Sequence, residues 1–326
     1  MKKICAAIAA ILILFSASGC TKNKSGKISE SGFLMDTVVS VTLYGNEDED
    51  ILKGCFDELS RFDKLWSRTS PESEIYRLNS GEISEVSEDT ADLLRKALYF
   101  SKLSGGAFDV SICPVSELWS FKDGGRVPDA EAINEALKKV GYENITVTDE
   151  NEVLFSISGA EMDLGGIAKG YAADKLKEYL LANGVESAVI NLGGNTLCVG
   201  EKPDGSAFKV GIQYPFKDQN EIIALLCVKD MSVVTSGVYE RSFEKDGKLY
   251  HHLLDPATGY PAKNNLLSVS IICKSSADAD ALSTACFVLG LDEGMKLINS
   301  MDGYYAIFIT DDFELHYSEG AEAFLV

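Results

Sequence analysis

The sequence predicts an α+β fold with largely antiparallel sheets flanked by helices. Stretches rich in β-branched residues follow one another closely between residues 187 and 236. Apolar residues at helical spacing indicate two long helices earlier in the chain, over 47–66 and 88–103. Long runs of neighbouring strands with helices between them are typical of the α+β class.

The first half of the chain begins with a predicted strand and continues mainly as helices. The stretch "FLMDTVVSVTLY" at 33–44 is β-branched and partly alternating, which indicates a strand. Ser87 can cap the helix at 88–103, and the glycines of "SGGAFD" end it. The further elements predicted here are a helix over 129–140, strands near 144–148 and 152–157, and a helix that follows "DLGG" and ends at Gly184.

The second half is predicted to be mostly strands. Five of them are expected near 187–192, 196–200, 207–213, 221–228 and 231–236. A hairpin over 238–253 turns at "KDGK", and another strand follows at 266–273. The chain then ends with a helix at 275–290, a helix near 292–300 and a hairpin around "TDDF".

The N-terminal residues are typical of a targeting segment. Two lysines precede the apolar core "ICAAIAAILILF", which is shorter than the ~20 residues that span a bilayer as a helix. "SASGC" then resembles a bacterial lipobox, so 1–19 are expected to be a lipoprotein signal peptide and Cys20 to carry a lipid at the extracytoplasmic face of the cell membrane. Ordinary signal-peptidase cleavage and an uncleaved anchor stay open as alternatives. The polar residues 20–32 are expected to be a flexible tether, followed by one domain over 33–326.

Composition limits the class of partner. The formal net charge of −20 argues against a nucleic-acid partner, which would require a basic surface. Beyond Cys5 and Cys20, the remaining cysteines form no CxxC pair and lie mostly in apolar runs. Small buried thiols are the favoured interpretation, while a disulfide stays open outside the cytoplasm.

The helix predicted at 275–290 carries two polar side chains that its apolar surroundings do not explain. Asp280 and Thr284 are four residues apart and therefore share one face of the helix. A buried carboxylate is costly unless it is hydrogen-bonded, paired or bound to a metal. Two interpretations follow: Thr284 and backbone donors satisfy Asp280, or the two side chains belong to a site for a hard cation such as Mg²⁺.

Three glycine turns and one histidine segment are further candidates for chemistry. "DLGGIAKGYAAD" (163–174) lets the backbone approach a ligand and places Lys169 in the first turn of a helix, where a nearby anion would explain the cation. For "NLGGNT" (191–196), a plain tight connection is favoured, whereas "GGAFD" (105–109), with Asp109 next to Phe108, is compatible with the edge of an aromatic ligand or with a buried turn. "YHHLLDPATGYP" (250–261) holds two of the three histidines, and at most one of them faces a given site.

Taken in order, several motifs resemble those of the ApbE family of FAD:protein FMN transferases. They are "MDT" (35–37), "SEIYRLN" (73–79), "GGAFD", "DLGGIAKGYAAD", "NLGGN", "HHLLDPATGYP" and "ADALSTACFVLG" (279–290). The resemblance covers essentially the whole chain after the N-terminal segment and implies an ApbE-like, T-fold-related α+β domain. It also implies an enzyme that, with Mg²⁺, transfers FMN from FAD to a Thr or Ser hydroxyl of a target flavoprotein and releases AMP. The implied acceptors are subunits of membrane or extracellular electron-transfer complexes.

The resemblance implies a set of site residues as well. The metal ligands would be the backbone carbonyl of Gly166 and the side chains of Asp280 and Thr284. His252 matches the histidine before the family's "IIDP" and is the candidate base for the acceptor hydroxyl. The residues that match flavin-nucleotide contacts are Met35, Ala107, Phe108, Asp109, Asp163, Lys169 and Leu254.

Three departures from the family pattern keep other functions open. Ser283 stands where the family often has a second acid, and Thr69 stands where many members carry an aromatic residue over the adenine. "MDT" replaces the usual "MGT". Weaker adenine stacking favours, as an alternative, an FAD pyrophosphatase that produces AMP and FMN. A further alternative is a flavin-binding lipoprotein without catalysis.

Overall fold

The structure is a computed structural model that describes residues 26–121, 124–218 and 221–326. The predicted signal peptide and Cys20 lie outside these residues. Within them, no helix is both long and apolar enough to cross a membrane. The predicted tether extends too far, because residues 27–32 belong to the first strand, where pairing with the second strand satisfies the backbone whatever the polarity of the side chains.

A central sheet of eight antiparallel strands organises the domain. Its strands are β1 (Lys27–Leu34), β2 (Thr37–Tyr44), β5 (Ser187–Leu192), β6 (Asn195–Gly200), β9 (Ser232–Gly237), β12 (Leu266–Cys273), β13 (Tyr305–Thr310) and β14 (Leu315–Tyr317), and they lie side by side in this order. Three antiparallel ribbons accompany the sheet: β3 (Ile145–Val147) with β4 (Val153–Phe155), β7 (Phe208–Gln213) with β8 (Ile222–Val228), and β10 (Ser242–Lys245) with β11 (Lys248–His251). The predicted α+β class with largely antiparallel sheets is confirmed.

The first predicted strand is wrong in one respect, because part of 33–44 is a hairpin turn. Met35 and Asp36 have φ values of 53° and 60°, and Leu34 pairs with Thr37 across them. Two successive residues in the left-handed region form the kind of two-residue turn that joins antiparallel strands. The sequence conceals this turn because methionine rarely adopts a positive φ.

Eight helices have bounds in the described residues. They are α1 (Glu49–Trp66), α2 (Glu74–Asn79), α3 (Glu88–Leu103), α4 (Cys113–Trp119), α5 (Ala130–Leu137), α6 (Ala168–Ala182), α7 (Ser276–Leu289) and α8 (Leu291–Asn299). The longer helices lie where their apolar spacing predicts them. The helices α2 and α4 were not predicted, because helices of six and seven residues are too short to show a helical period.

The two faces of the central sheet are covered differently. On one face, the large core cluster joins α1, α3, α6 and α7 to the inward side chains of the sheet, such as Val39 and Val41. On the other face, the ribbon β7–β8 packs over β6, β9, β12 and β13 through residues such as Phe208 and Ile272. A third cluster around Trp119 joins α4 and α5 to Leu254. The six cysteines of the described residues are free thiols, and five are buried, as the favoured interpretation expects.

One end of the sheet gathers several turns. The β5–β6 turn meets the β1–β2 turn there, where the Gly193 N–H donates to the Val38 carbonyl at 3.1 Å. Strand β9 ends on the same side at Gly237, opposite Ser268 near the start of β12. This end of the sheet therefore brings residues 35–36 and the segment after residue 237 close to the helical layer.

Candidate active site

The glycine turn before α6 lies against α7. A Cβ atom at Gly166 would stand 3.1 Å from the Phe108 ring and 3.5 Å from Thr284 Oγ1. The turn backbone therefore approaches both side chains closely, which any larger residue at position 166 would hinder. The structure thus brings Gly166 beside Thr284, as the resemblance implies.

Asp280 lies one helical turn before Thr284 and is only 4% exposed. Its Oδ2 accepts a hydrogen bond of 2.9 Å from the backbone N–H of Gly170, and its Oδ1 is 3.7 Å from Lys169 Nζ. A backbone donor and a cation together offset the cost of burying the carboxylate. Thr284 has a different neighbour, since its hydroxyl lies 3.3 Å from that of Ser236. Of the two kinds of partner that could satisfy Asp280, the backbone donor is therefore present, whereas Thr284 contacts Ser236 instead.

Ser283 uses its hydroxyl within the protein. It donates to the Asp280 carbonyl at 2.9 Å and lies 2.7 Å from the Ser236 hydroxyl. The groups that could hold a metal are then the Asp280 carboxylate, the Thr284 hydroxyl and the adjacent Gly166 backbone. This donor set consists only of hard oxygen atoms and includes one carboxylate. It fits Mg²⁺, which binds one or two carboxylates and completes its coordination with water and substrate phosphates.

Lys169 and a surface cleft both lie near this oxygen cluster, since the charges of Lys169 and Asp280 act on Glu240 of the cleft. The Lys169 Nζ also donates to the Gly165 carbonyl at 3.2 Å. The cleft has a volume of about 330 Å³ and is lined by Asp36, Phe121, Glu240, Arg241 and Ser242. Asp36 comes from the β1–β2 turn and Glu240 from the segment after β9, so the turns at this end of the sheet form its walls.

Glu240 is a charged site residue that sequence reasoning missed. The residue is exposed, but protein surrounds its carboxyl group closely enough for desolvation to raise its pKa to about 7. The positive charges of Lys169 and Arg241 oppose this rise, and the negative charge of Asp280 adds to it. No sequence pattern marks a single glutamate after a strand, so no signal was available to find it.

His252 is held by the backbone of Arg241. Its backbone N–H donates to the Arg241 carbonyl at 3.0 Å, and its ring Nδ1 lies 3.2 Å from the same oxygen. A carbonyl can only accept, so this contact assigns the proton to Nδ1 and leaves the Nε2 lone pair available. Burial, followed by the charge of Arg241, lowers the pKa of His252 to about 3 and keeps the ring neutral.

The neighbouring His251 has a structural environment. It is 9% exposed and packs edge-on against Phe287 with ring centroids 5.5 Å apart. Burial lowers its pKa to about 4. Of the two histidines, His252 is therefore the candidate for chemistry.

The "GGAFD" loop is joined to the glycine turn. The Asp163 N–H donates to the Val110 carbonyl at 2.9 Å, and the Asp163 carboxylate accepts from the Gly165 N–H at 2.8 Å. Asp109 is buried, and its carboxylate accepts bonds from the Ser111 backbone, the Ser111 hydroxyl and the Tyr142 backbone. The Asp109 side chain therefore holds its own loop together. A ligand contact at this residue would have to come from the backbone.

A second group of potential ligands lies beside Asp163. Cys113, Glu117 and Glu161 offer ligand atoms within 4.8 Å of one another. Arg68 lies among them, with Nη1 3.1 Å from Glu117 and 3.9 Å from the Cys113 sulfur, and with Nε 3.2 Å from Asp163. An arginine thus already pairs with Glu117 of this group and with the adjacent Asp163.

The remaining predicted residues lie around the edge of the site. Met35 packs partly buried against the main core, next to Asp36 of the cleft. Leu254 is 6% exposed and belongs to the Trp119 cluster, and Ala107 is half-buried beside Phe108. Thr69 is exposed, with its hydroxyl 3.3 Å from that of Ser67. Their predicted contacts with a flavin nucleotide stay predictions.

Comparison with known proteins shows the family of this chain. The model of the ApbE family matches residues 35–308. The chain belongs to the ApbE family. Among its relatives, the FAD:protein FMN transferase of Treponema pallidum (strain Nichols) is 34% identical over 333 residues, covering 95% of this chain and 92% of the relative. That of Klebsiella pneumoniae (strain 342) is 36% identical over 287 residues, covering 86% and 89%.

Solved structures of the family share the fold. The crystal structure of the ApbE protein from Thermotoga maritima matches with a TM-score of 0.84 and 33% identity, over 92% of this chain and 99% of that one. The flavin transferase ApbE from Vibrio cholerae matches with a TM-score of 0.83 and 28% identity, over 92% and 100%. The predictions of an ApbE-like fold and of an enzyme of this family are confirmed.

Proposed function

We propose that this protein transfers FMN from FAD to a Thr or Ser hydroxyl of a target flavoprotein, in an Mg²⁺-dependent reaction that releases AMP. One observation carries the proposal: Gly166, Asp280 and Thr284 form an all-oxygen cluster directly beside Lys169. A hard cation and a lysine together suit a pyrophosphate. Membership in the ApbE family and the names of the relatives support flavin transfer in general.

The FAD pyrophosphate is expected to bind between the glycine turn and the oxygen cluster. The turn leads into the N-terminus of α6, where the helix dipole favours an anion. Lys169, with a side chain 24% exposed, can reach a phosphate without leaving Asp280. Bound Mg²⁺ would be held by Asp280, Thr284 and the Gly166 carbonyl, and would neutralise charge on the pyrophosphate. Phosphoryl-type transfer depends mainly on such positioning and neutralisation.

His252 is the proposed base. The acceptor hydroxyl oxygen attacks the phosphorus atom of the FMN half, and its proton passes to His252 Nε2. A new phosphoester bond forms between acceptor and FMN, while the bond from that phosphorus to the bridging oxygen breaks and AMP leaves with the oxygen. The Arg241 carbonyl keeps the proton on Nδ1, so Nε2 is the nitrogen that accepts.

The proposal includes a lipid anchor at the extracytoplasmic face of the membrane, with acceptors in membrane or extracellular electron-transfer complexes. The lipobox-like "SASGC" supports the anchor. Gly26, where the described residues begin, pairs with Gly45 at the end of β1 opposite the 35–36 turn. The eight residues of β1 separate these two ends by about 27 Å. An anchor on this side would leave the cleft accessible.

A second candidate, FAD pyrophosphatase, rests on Thr69. Its exposed hydroxyl stands where many family members carry an aromatic residue, so the adenine would lack a stacking partner at this position. A loosely held FAD and an open cleft would let water replace the acceptor hydroxyl. The products would then be AMP and free FMN.

The test is an assay of the full chain in detergent with FAD, Mg²⁺ and an acceptor domain that carries a flavinylation-type Thr. Acceptor mass, AMP and free FMN are followed together, with a Thr→Val acceptor as the control. We expect the Thr acceptor alone to gain the mass of an FMN phosphoester, with AMP formed in equal amount. AMP and FMN formed equally without acceptor would favour the pyrophosphatase. FAD that stays intact although it binds would contradict both enzymes and favour the non-catalytic carrier.

A further inference from the structure

The helices α6 and α7 meet in one antiparallel register with a four-residue interval. Residues 166, 170 and 174 face residues 284, 280 and 276 in turn. From position 166 to 170 and from 170 to 174, each advance of four residues moves the contact four residues backward along α7. Because residues four apart share a helix face, the contacts of residues 170 and 174 lie on one face of α6, and the contact of Gly166 continues them into the turn before the helix. The oxygen cluster occupies two of the three contacts.

The middle contact is unusually close. A Cβ at Gly170 would lie 2.7 Å from the Ala277 Cα, and the Gly170 N–H donates to the Asp280 carboxylate. Only glycine lets the two backbones approach to this distance. At this point, therefore, α7 cannot move closer to α6.

Asp174 makes the third contact, at the start of α7. Its Oδ1 accepts from the Ser276 N–H at 2.7 Å, and its Oδ2 accepts from the Ala277 N–H at 3.0 Å and from the Ser275 hydroxyl at 2.8 Å. The first N–H groups of a helix have no partner within it, and the helix dipole favours an anion there. One carboxylate of α6 thus takes three donors from the first turn of α7.

Asp174 is not the local cap of α7. Ser275 already has that role, because its hydroxyl accepts from the Asp278 N–H at 3.3 Å. The Asp174 carboxylate comes from another helix about 100 positions earlier in the chain and joins the two elements instead. Burial raises its pKa, and the three hydrogen bonds oppose that rise.

We infer that Asp174 is a positioning residue for the metal-binding end of the α6–α7 pair. Asp174 ties the start of α7 to α6, so the distance from the glycine turn to Asp280 and Thr284 is set by a rigid helix held at a fixed point. A helix rises 1.5 Å per residue, which places Thr284 about 12 Å from Ser276. A slide or rotation of α7 at its first turn would therefore also displace Asp280 and Thr284. Mg²⁺ tolerates such displacement poorly because it requires near-ideal octahedral geometry.

The inference rests on the proposed metal site and predicts how Asp174 affects it. Removing the carboxylate should weaken metal binding by about tenfold or more, as the loss of partners that orient metal ligands generally does. Replacing it with asparagine should weaken binding less, because the amide oxygen can still accept one of the N–H groups. A role in helix capping alone would lower thermal stability and leave metal affinity unchanged.

The experiment titrates Mn²⁺ into the full chain in detergent and follows free Mn²⁺ by electron paramagnetic resonance. The variants are Asp174→Ala and Asp174→Asn. The matched control is Asp48→Ala, which removes a carboxylate cap from the start of α1, where Asp48 accepts from the Asp50 N–H at 3.0 Å. We expect the control to lower the melting temperature without changing the Mn²⁺ dissociation constant, and both Asp174 variants to raise that constant.

Two results would overturn the inference in different ways. Folded Asp174 variants that bind Mn²⁺ like the wild type would show that Asp174 is only structural, while the metal site itself stands. A wild type that binds no Mn²⁺, or that binds equally well after Asp280→Ala, would instead refute the metal site and the positioning role with it. If Asp174→Ala does not fold, Asp174→Asn decides between these outcomes.

Discussion

Within the described residues, two regions collect potential metal ligands, and they differ in where the positive charge lies. By residue type alone, Cys113, Glu117 and Glu161 are the stronger candidates, with three ionisable ligands within 4.8 Å. The cluster on α7 has one carboxylate, one hydroxyl and a glycine turn. Residue type therefore favours the Cys113 group as the metal site, whereas the geometry favours the cluster on α7.

The cation explains the difference. Arg68 lies 3.1 Å from Glu117 and 3.9 Å from the Cys113 sulfur, and its guanidinium is always protonated. Burial raises the pKa of Cys113 and of Glu161, which favours their protonated forms, whereas a metal binds the thiolate. Near Asp280, the lysine is 3.7 Å away and its side chain is 24% exposed, so it is accessible to a bound phosphate. The Cys113 group is thus the weaker metal candidate, because a fixed cation already pairs with Glu117.

The largest expected effect tests the α7 cluster directly. Asp280→Ala should lower FMN transfer by about 1,000-fold or more, because it removes the only carboxylate of the proposed metal site. AMP release under saturating FAD and Mg²⁺ measures the loss, and circular dichroism checks folding. Activity that survives both this change and chelation of the metal would refute the metal assignment.

The next largest effect is expected for the proposed base, His252. His252→Gln should lower the transfer rate by about 100-fold or more while FAD binding stays within a few-fold, because general bases contribute to the chemical step. Single-turnover kinetics and flavin fluorescence separate rate from binding. His251→Gln is the control, since His251 packs against Phe287. Equal rate losses in the two variants would contradict the assignment of His252.

A much smaller effect is expected in the Arg68 region. Glu117→Gln should change the Mg²⁺ dependence of the reaction by less than about threefold, because Glu117 pairs with an arginine at an exposed position. The concentration of Mg²⁺ at half-maximal rate measures it. A tenfold shift would reverse the comparison and make this region the metal site.

The smallest effects are expected in the pH dependence of the free energy of unfolding. Their signs are opposite for His251, which packs against Phe287 of α7, and for Glu161 of the Cys113 group. The folded-state pKa of His251 is lowered from 6.5 to about 4, so its contribution is present above pH 6.5 and is lost as the pH falls toward 4. The folded-state pKa of Glu161 is raised from 4.5, so its contribution is present below pH 4.5 and is lost as the pH rises. Between pH 4 and 8, the urea midpoint of His251→Gln should fall less on acidification than that of the wild type. Glu161→Gln should lose the stabilisation that Glu161 contributes to the wild type on acidification. If the urea midpoints of both variants and of the wild type changed with pH in parallel, the buried environments assigned to His251 and Glu161 would be wrong.

Much of the fold was predictable because its signals are local. The helices α1 and α3 show their apolar spacing over four or more turns, and β12 was predicted at its observed bounds. The Met35–Asp36 turn was missed because methionine is not a residue that usually adopts a positive φ. The boundary of the predicted tether was wrong because strand pairing, not side-chain polarity, decides where β1 begins.

The candidate site was predictable only in part. The spacing of Asp280 and Thr284 placed them on one helix face, and their relation to Gly166 came from the family resemblance. Glu240, Arg68 and Asp174 carry no such signal. Their partners lie far away in the chain, as with Asp174 and Ser276, which are 102 positions apart. Single-sequence periodicity reports on neighbours three or four residues away and cannot find such pairs.

The sequence by itself determined the α+β class, the helix that carries Asp280 and Thr284, and the glycine turn before α6, because each follows from local spacing and backbone freedom. Only the tertiary structure decided which acids face a lysine and which face an arginine. It also decided that Ser283 contacts Ser236, and that His252 is held through Nδ1. The physical reason is that these properties depend on packing between elements distant in the chain. Such packing sets the charge and the hydrogen-bond partners of every group in the site.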